Sequence, residues 1–172
     1  YSLKYSFSKW IERKIILDKL QINFIQSSII INGLKIKNSN KFYYDNIFES
    51  EKISLKYNPR SLFTNLIVIN NLTIENPIFS FELIEKSPNI YDDNIGVAIK
   101  KIDNTPKKVW PEKNKDTNFL ILKTKIKGAK TFIKTSFFSK PTEIDLSVMY
   151  FYKIGNQKNY QHYKDALNII FF

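Results

Sequence analysis

Apolar and polar residues alternate one by one over most of residues 15–84, as they do in half-buried strands of a sheet. Asn58–Pro59 and Asn76–Pro77 interrupt the alternation, and such pairs are typical of the ends of strands. No useful stretch of this part has the spacing of an amphipathic helix, so a βαβ arrangement is not expected. The pattern predicts an antiparallel meander of strands, apolar on one face and polar on the other.

Both ends of the chain have the spacing of short helices. An apolar stripe predicts a helix over residues 1–14, formed by Leu3, Phe7, Trp10 and Ile11. This helix either caps one end of the core or lies on a membrane surface, with Trp10 at the interface. A second amphipathic pattern predicts a C-terminal helix over residues 158–172.

The length of 172 residues predicts a single domain, residues 1–172. After the meander, residues 85–118 predict a short helix, capped by Asp92 or Asp93, and then an exposed loop. Strands resume over residues 119–157. The predicted fold class is α+β and mostly β: a curved antiparallel meander of about eight strands that forms a groove, with a short helix at each end.

Two similar octapeptides begin 38 residues apart, INGLKIKN at Ile31–Asn38 and INNLTIEN at Ile69–Asn76. Each is an alternating strand followed by a polar or proline break. They predict a repeated strand pair that stacks into one extended sheet. The alternative is that two strands of an Ile- and Asn-rich chain share letters by chance.

The charge of the chain is compatible with two interpretations. Its 27 basic and 16 acidic residues give a net charge of +11 at pH 7. Such an excess attracts nucleic acid or an anionic membrane, but codon bias in an AT-rich genome also enriches Lys, Asn and Ile. Nucleic acid is not expected as a partner, because arginine, the usual residue for bidentate base contacts, occurs only as Arg13 and Arg60.

No group of residues in the sequence indicates catalysis. The chain has no Cys, and His162 is its one histidine, so a transition-metal site would depend on carboxylates. Glycine-rich phosphate loops and nucleophile elbows are missing as well. We therefore expect a protein without enzymatic activity, metal or cofactor.

Two sets of residues are candidates for contact with phospholipid. The apolar face of the sheet suits acyl chains if the sheet stays open, and forms an ordinary core if it closes; its residues are Leu20, Ile22, Phe24, Leu34, Ile36, Ile53, Leu55, Leu72, Ile74, Phe79 and Phe81. The second set would contact headgroups or an anionic membrane surface, and comprises Lys4, Lys9, Trp10, Arg13, Lys123, Lys125 and Lys127. The alternation of Lys123, Lys125 and Lys127 also fits a solvated face that prevents edge-to-edge pairing of strands.

The order of these features resembles the N-terminal module of the AsmA-like proteins, relatives of the TamB and YhdP type. The segments that carry the resemblance are SFSKWIERKI, IIINGLKIKNSNKF, ESEKISLKYNPRSLF and LIVINNLTIENPIFSFEL. The closing segment, with its Ile154–Gly155 turn, is similar too. The resemblance covers most of the chain outside residues 85–118.

The resemblance implies a non-enzymatic protein on the periplasmic face of the bacterial inner membrane, anchored by a helix upstream of Tyr1. It implies a β-groove related to repeating β-groove lipid-transfer proteins, and a role in phospholipid handling or outer-membrane homeostasis. Because a short module cannot span an envelope, envelope proteins or further copies of the chain are the implied partners. The alternative is a structural domain that docks an acidic protein through its Lys-rich face.

Overall fold

The structure, a computed structural model, describes residues 13–96, 118–138, 140–155 and 161–162. Its strands, in chain order β1 to β12, are Ile15–Ile16, Lys19–Asn23, Ser28–Lys37, Asn46–Tyr57, Leu66–Glu75, Ile78–Ser87, Ile90–Asp93, Asn118–Lys127, Ala129–Thr135, Thr142–Leu146, Met149–Gly155 and Gln161–His162. The helical residues in these ranges are the 3-10 helix Pro59–Phe63 and residues 94–96.

All twelve strands belong to one mixed sheet. Strand β3 pairs antiparallel with β1, β2 and β4, and β4 pairs antiparallel with β5 and β6. Strands β5 and β6 then pair in parallel with β8 and β9, in one register from Leu66 opposite Asn118 to Leu83 opposite Thr135. Strands β10 and β11 complete this side in antiparallel pairing. Four pairs of consecutive strands continue one another across a break: β1 and β2, β5 and β6, β8 and β9, and β10 and β11. If each such pair counts as one strand and β12 is left out, the sheet has seven strands and is nearly closed.

The predicted antiparallel meander is wrong, because β5 with β8, and β6 with β9, run in the same direction. Alternation has the same period in parallel and antiparallel strands, so the sequence pattern does not report strand direction. A parallel return requires a long connection, and the segment between β7 and β8 is long enough to supply one.

The described residues do not form the predicted helices at the two ends. Arg13 and Lys14 are not helical, and Gln161 and His162 form strand β12, parallel to the end of β11. The rest of the two predicted helices, residues 1–12 and most of 158–172, lies outside the described residues. No helix in the described part of the chain is long and apolar enough to cross a membrane.

The predicted helix-and-loop segment 85–118 is described at its two ends. It contains the end of β6, strand β7 and a helical turn at 94–96, where the Asp93 carboxylate accepts a hydrogen bond from the Gly96 N–H group. Residues 97–117 lie outside the described residues.

A transverse crease crosses the sheet where several strands break. Register places five residues opposite one another on successive strands, and we define the crease by them: Asp18, Gly33, Glu51, Asn76 and Gly128. Gly33, Asn76 and Gly128 have positive φ angles of 61°, 48° and 63°, a left-handed conformation that bends a strand. The crease divides the sheet into two halves.

The octapeptides INGLKIKN and INNLTIEN occupy unequal positions on the two sides of β4. Ile53 lies opposite Ile31 in the first and opposite Ile74 in the second, although Ile69 is the counterpart of Ile31 in sequence. The crease passes through the third residue of the first octapeptide and through the last residue of the second. Their shared letters therefore do not correspond to equivalent places in the sheet.

The main hydrophobic core lies next to the crease. Buried residues of β6, β8, β9 and β11 form it, and these are Phe79, Ile126, Ala129, Phe151 and Ile154. A smaller cluster joins Ile47 and Ile95, with Phe81 packed against it.

Glu82 is fully buried and fixes the loop between β3 and β4. Its carboxylate accepts hydrogen bonds from the backbone N–H groups of Tyr43 at 2.6 Å and Tyr44 at 2.7 Å, and from Asn38 Nδ2 at 3.2 Å. Its own backbone N–H group donates to Asn94 Oδ1 at 2.9 Å. A buried carboxylate needs such donors, since it loses its hydration on folding.

Candidate functional site

Among the described residues, the half of the sheet that contains β2 carries no carboxylate apart from Glu75, which borders the crease. This acid-free half comprises residues 20–31, 53–74, 118–126 and 149–155, and its charged residues are Lys56, Arg60, Lys123, Lys125 and Lys153. Glu75 borders the crease, and every other described Asp and Glu lies on the crease or beyond it. The described charges of this half are therefore all positive. The net charge of the whole chain does not show where this positive charge is concentrated.

Four large apolar side chains project from the outer end of the acid-free half, and we call them the tip: Phe24, Ile25, Leu62 and Phe63. Ile25 is 98% exposed, Phe63 91% and Phe24 79%. The residues of the tip lie on two loops, the β2–β3 turn and the 3-10 helix. These loops are neighbours, since the Tyr57 N–H group, next to the 3-10 helix, donates to the Ser27 carbonyl of the turn at 3.0 Å. Clustered exposed apolar residues of this kind mark interaction sites.

Local hydrogen bonds hold both loops of the tip in place. In the β2–β3 turn, Asn23 Oδ1 accepts from the Gln26 N–H group at 2.9 Å. In the other loop, Asn58 Oδ1 accepts from the Arg60 N–H group at 3.0 Å, and Ser61 Oγ donates to the Asn58 carbonyl at 2.6 Å. The fold thus presents the apolar side chains on ordered backbone, which lowers the entropy lost when a partner binds.

Six of the predicted lipid-contact residues come together in the acid-free half, in two cross-strand rows. Leu20 and Ile22 on β2 are exposed, whereas their neighbours on β4 and β5 are half-buried. Rows of directly opposed residues share a face of the sheet, and these two contain Leu20, Ile53 and Ile74, and Ile22, Leu55 and Leu72.

The other predicted lipid-contact residues lie elsewhere. Phe24 belongs to the tip, while Leu34, Ile36, Phe79 and Phe81 lie on the far side of the crease. Phe79 is a buried member of the core. The single apolar face predicted from alternation is therefore divided between a packed core and a partly exposed surface.

A shallow pocket of about 420 Å³ lies against the β2–β3 hairpin. Its lining combines apolar and amide side chains, and comprises Gln21, Ile22, Asn23, Phe24, Ile25, Gln26, Ser28 and Ile30. The pocket connects the tip to the cross-strand rows through Ile22 and Phe24.

The predicted lysine series on β8 has two different environments. Lys123 and Lys125 lie beside the exposed ring of Tyr150, with their Nζ atoms 5.4 and 5.6 Å from its centroid. Lys127 instead pairs with Glu75, with 3.4 Å between Nζ and Oε2. The first two make no ion pair with any described carboxylate, so they extend the positive surface of the acid-free half.

Comparison with protein-family models, curated proteins and solved structures finds no match. The resemblance to the AsmA-like proteins therefore stays a prediction from the sequence. The functional interpretation depends on the geometry of this sheet and on the chemistry of its surfaces.

Arg13 and Lys127 are the described headgroup candidates that lie outside the acid-free half. Arg13 lines a cavity at the opposite end of the sheet, formed by the residues just before β1, the end of β3 and the β3–β4 loop. Lys4, Lys9 and Trp10 lie outside the described residues.

The described side chains offer surfaces for binding. No group of three or more His, Asp or Glu side chains in the described ranges is placed to hold a metal ion. Glu82, the fully buried carboxylate, has its oxygens committed to loop donors. The exposed surfaces supply apolar contact, positive charge and aromatic rings.

Sequence reasoning missed Ile25, Leu62 and Phe63. A signal existed, because the chain places Phe24–Ile25 and Leu62–Phe63 in segments otherwise made of turn residues. Paired apolar residues in a predicted turn have no core to enter, which distinguishes them from the alternating residues of the strands.

Proposed function

We propose that the protein is a non-enzymatic lipid-binding protein that attaches to anionic phospholipid membranes through its acid-free half. The observation that supports this best is the coincidence of an exposed apolar tip with a surface whose described charged residues are all cations. Apolar side chains favour the acyl region of a bilayer and cations favour its anionic headgroups. A docking site for a neutral partner would not require the charge segregation.

The two contributions have comparable magnitudes. Full burial of a Phe, Ile or Leu side chain contributes about 1.5–3 kcal/mol, and each Lys or Arg near an anionic surface contributes about 1 kcal/mol. Lys56 and Arg60 lie in or next to the loop that carries Leu62 and Phe63, so both effects act at the same place. Their sum supports reversible attachment rather than permanent insertion.

Phospholipid handling is the further part of the proposal. Behind the tip, the hairpin pocket and the two rows that begin at Leu20 and Ile22 offer apolar surface along which an acyl chain can lie. The cell location that we propose, the periplasmic face of the bacterial inner membrane, rests on the resemblance to the AsmA-like proteins. So does a contribution to outer-membrane homeostasis, with envelope proteins or further copies of the chain as partners.

Vesicle flotation tests the attachment. The protein is mixed with vesicles of phosphatidylcholine alone, or of phosphatidylcholine with phosphatidylglycerol, at low and high salt. We expect flotation with the anionic vesicles that weakens as salt rises. Failure to float with anionic vesicles at low salt would overturn the proposal. Native mass spectrometry of the protein purified from membranes tests the handling, since a bound phospholipid adds a defined mass.

The runner-up function is docking of an acidic protein, and the same vesicles separate the two. Lys123, Lys125 and Tyr150 form the surface that such a partner would use. Substitution of these two lysines would abolish binding of an acidic protein, and this binding would not require the tip. Membrane attachment requires the tip, so loss of binding on substitution of the tip supports a membrane, and binding that survives this substitution supports a protein partner.

A further inference from the structure

The cavity at the other end of the sheet contains hydrogen-bond donors that lack partners. It has a volume of about 520 Å³ and lies between the residues just before β1, the end of β3 and the β3–β4 loop. Its lining residues are Arg13, Lys14, Lys37, Asn38, Ser39, Asn40, Phe42, Tyr44 and Asp45. We call it the Arg13 pocket.

Arg13 and Tyr44 supply the unpartnered groups. Arg13 Nε and Nη2 and the Tyr44 hydroxyl are all buried, and none has a hydrogen-bond partner in the described part of the chain. A buried donor without an acceptor costs about 1–3 kcal/mol, and more when it is charged. Arg13 and Tyr44 both line this cavity, so a ligand with acceptor oxygens that binds there can supply the missing partner.

The charge around the cavity is positive. Lys14 and Lys37 join Arg13, and Asp45 is the single carboxylate among the lining residues. The Asp45 carboxylate lies 3.9 Å from Lys37 Nζ and is almost fully exposed, so it neutralises little of this charge. The ligand should therefore be an anion.

The backbone holds the cavity in place from two sides. Lys37 donates its N–H group to the Lys14 carbonyl at 2.9 Å, which ties the end of β3 to the residue after Arg13. Glu82 binds the N–H groups of Tyr43 and Tyr44, so the loop that carries the Tyr44 ring is anchored. Asn38 is held by the same carboxylate.

We propose that the Arg13 pocket binds a phosphate group, with the Arg13 guanidinium and the Tyr44 hydroxyl as direct donors and Lys14 and Lys37 as charge partners. The planar guanidinium matches two phosphate oxygens at once, and the hydroxyl can donate to a third. The phosphate can belong to a lipid headgroup or to a soluble phosphate compound. The pocket lies across the crease from the acid-free half, so it does not depend on the membrane-binding proposal.

Calorimetric titration of the full chain tests this site with three probes: inorganic phosphate, glycerol 3-phosphate and short-chain phosphatidic acid below its micelle concentration. The variants are Arg13→Gln and Tyr44→Phe, and Lys86→Gln is the control, an exposed cation that belongs neither to the pocket nor to the acid-free half. We expect Arg13→Gln to weaken binding about tenfold to a hundredfold, Tyr44→Phe to weaken it about fivefold, and Lys86→Gln to leave it unchanged.

The probes also distinguish the source of the phosphate. Arg13-dependent binding of inorganic phosphate or glycerol 3-phosphate supports a soluble ligand. Arg13-dependent binding of phosphatidic acid alone supports a lipid headgroup. Binding of no probe, or binding that both pocket variants leave unchanged, would overturn the proposal. Because the Tyr44 hydroxyl has no hydrogen-bond partner among the described residues, Tyr44→Phe should fold normally, and it keeps the test valid if Arg13→Gln does not fold.

Discussion

Asn76 and Gly128 lie opposite each other on parallel strands, and both have left-handed backbone, with φ angles of 48° and 63°. The Asn76 amide oxygen would lie 2.1 Å from a β-carbon built on Gly128. Asp18 and Gly33 repeat this relationship near the other edge of the sheet, where Asp18 Oδ2 would lie 1.9 Å from a Gly33 β-carbon. At each place a polar side chain occupies the space that a glycine leaves, and both places lie on the crease.

Substitution of Gly128 should destabilise the fold. Gly128→Ala forces a left-handed alanine, at about 1–2 kcal/mol, and displaces the Asn76 side chain as well. Urea denaturation should show a loss of at least about 1 kcal/mol in the free energy of unfolding. Adding Asn76→Gly should recover part of the loss, because it removes the clash. A loss below about 0.5 kcal/mol would show that the crease does not require glycine there.

Glu82→Gln should also destabilise the protein, because the amide nitrogen cannot accept the hydrogen bonds that the carboxylate accepts. We expect a loss of about 2–3 kcal/mol in the free energy of unfolding, and faster amide exchange at Tyr43 and Tyr44. Glu85→Gln on the same strand is the control, since Glu85 is exposed, and should change stability by less than about 0.5 kcal/mol. If the two substitutions lower the free energy of unfolding equally, the Glu82 carboxylate does not hold the β3–β4 loop in place.

Tyr44 should make stability fall at alkaline pH. Burial, with the nearby Glu82 carboxylate and Tyr43, raises the pKa of Tyr44 above 10.0. The folded state therefore holds the phenolic proton more tightly than the unfolded state, so this contribution is complete below pH 10 and is lost as pH rises through the raised pKa. Tyr44→Phe should lose less stability than the wild type between neutral and strongly alkaline pH. Parallel pH profiles of the two proteins would contradict this.

The charge of the acid-free half should strengthen membrane binding. Replacing Lys56 and Arg60 together with Gln should weaken attachment to anionic vesicles by about 2 kcal/mol, roughly thirtyfold, and reduce its dependence on salt. Lys86→Gln with Lys140→Gln removes the same charge on the far side of the crease and is the control. If both double variants weaken binding equally, net charge and not its location determines attachment.

Much of the strand content could be predicted from the sequence, and the connections could not. The alternation around Leu20, Ile53 and Ile74 predicts strands that the structure contains, because period two follows from the pleat. The same alternation does not indicate whether paired strands run parallel or antiparallel, so the parallel pairing of Leu66–Glu75 with Asn118–Lys127 was not predicted. The prediction of a single apolar face also failed, since Phe79 lies in a buried core that extends across the crease, whereas Leu20 is exposed on the surface.

The candidate site was partly predictable. Lys123 and Lys125 were identified from their spacing, and Arg13 from its place beside the stripe. The absence of carboxylates from one half of the sheet could not be read along the chain, because four separate segments assemble that half. Glu82 was missed for a similar reason: its partners lie about forty positions away in sequence and meet it only in the fold.

The most direct test of membrane attachment compares two chemically matched double variants in vesicle flotation. Ile25→Ser with Phe63→Ser removes two fully projecting residues of the tip, whereas Ile90→Ser with Phe138→Ser removes an exposed Ile and Phe beyond the crease. Because all four side chains are exposed, neither variant should lose much stability. We predict that the tip variant no longer floats with anionic vesicles and that the control floats like the wild type. Equal flotation of the two variants would contradict attachment through the tip.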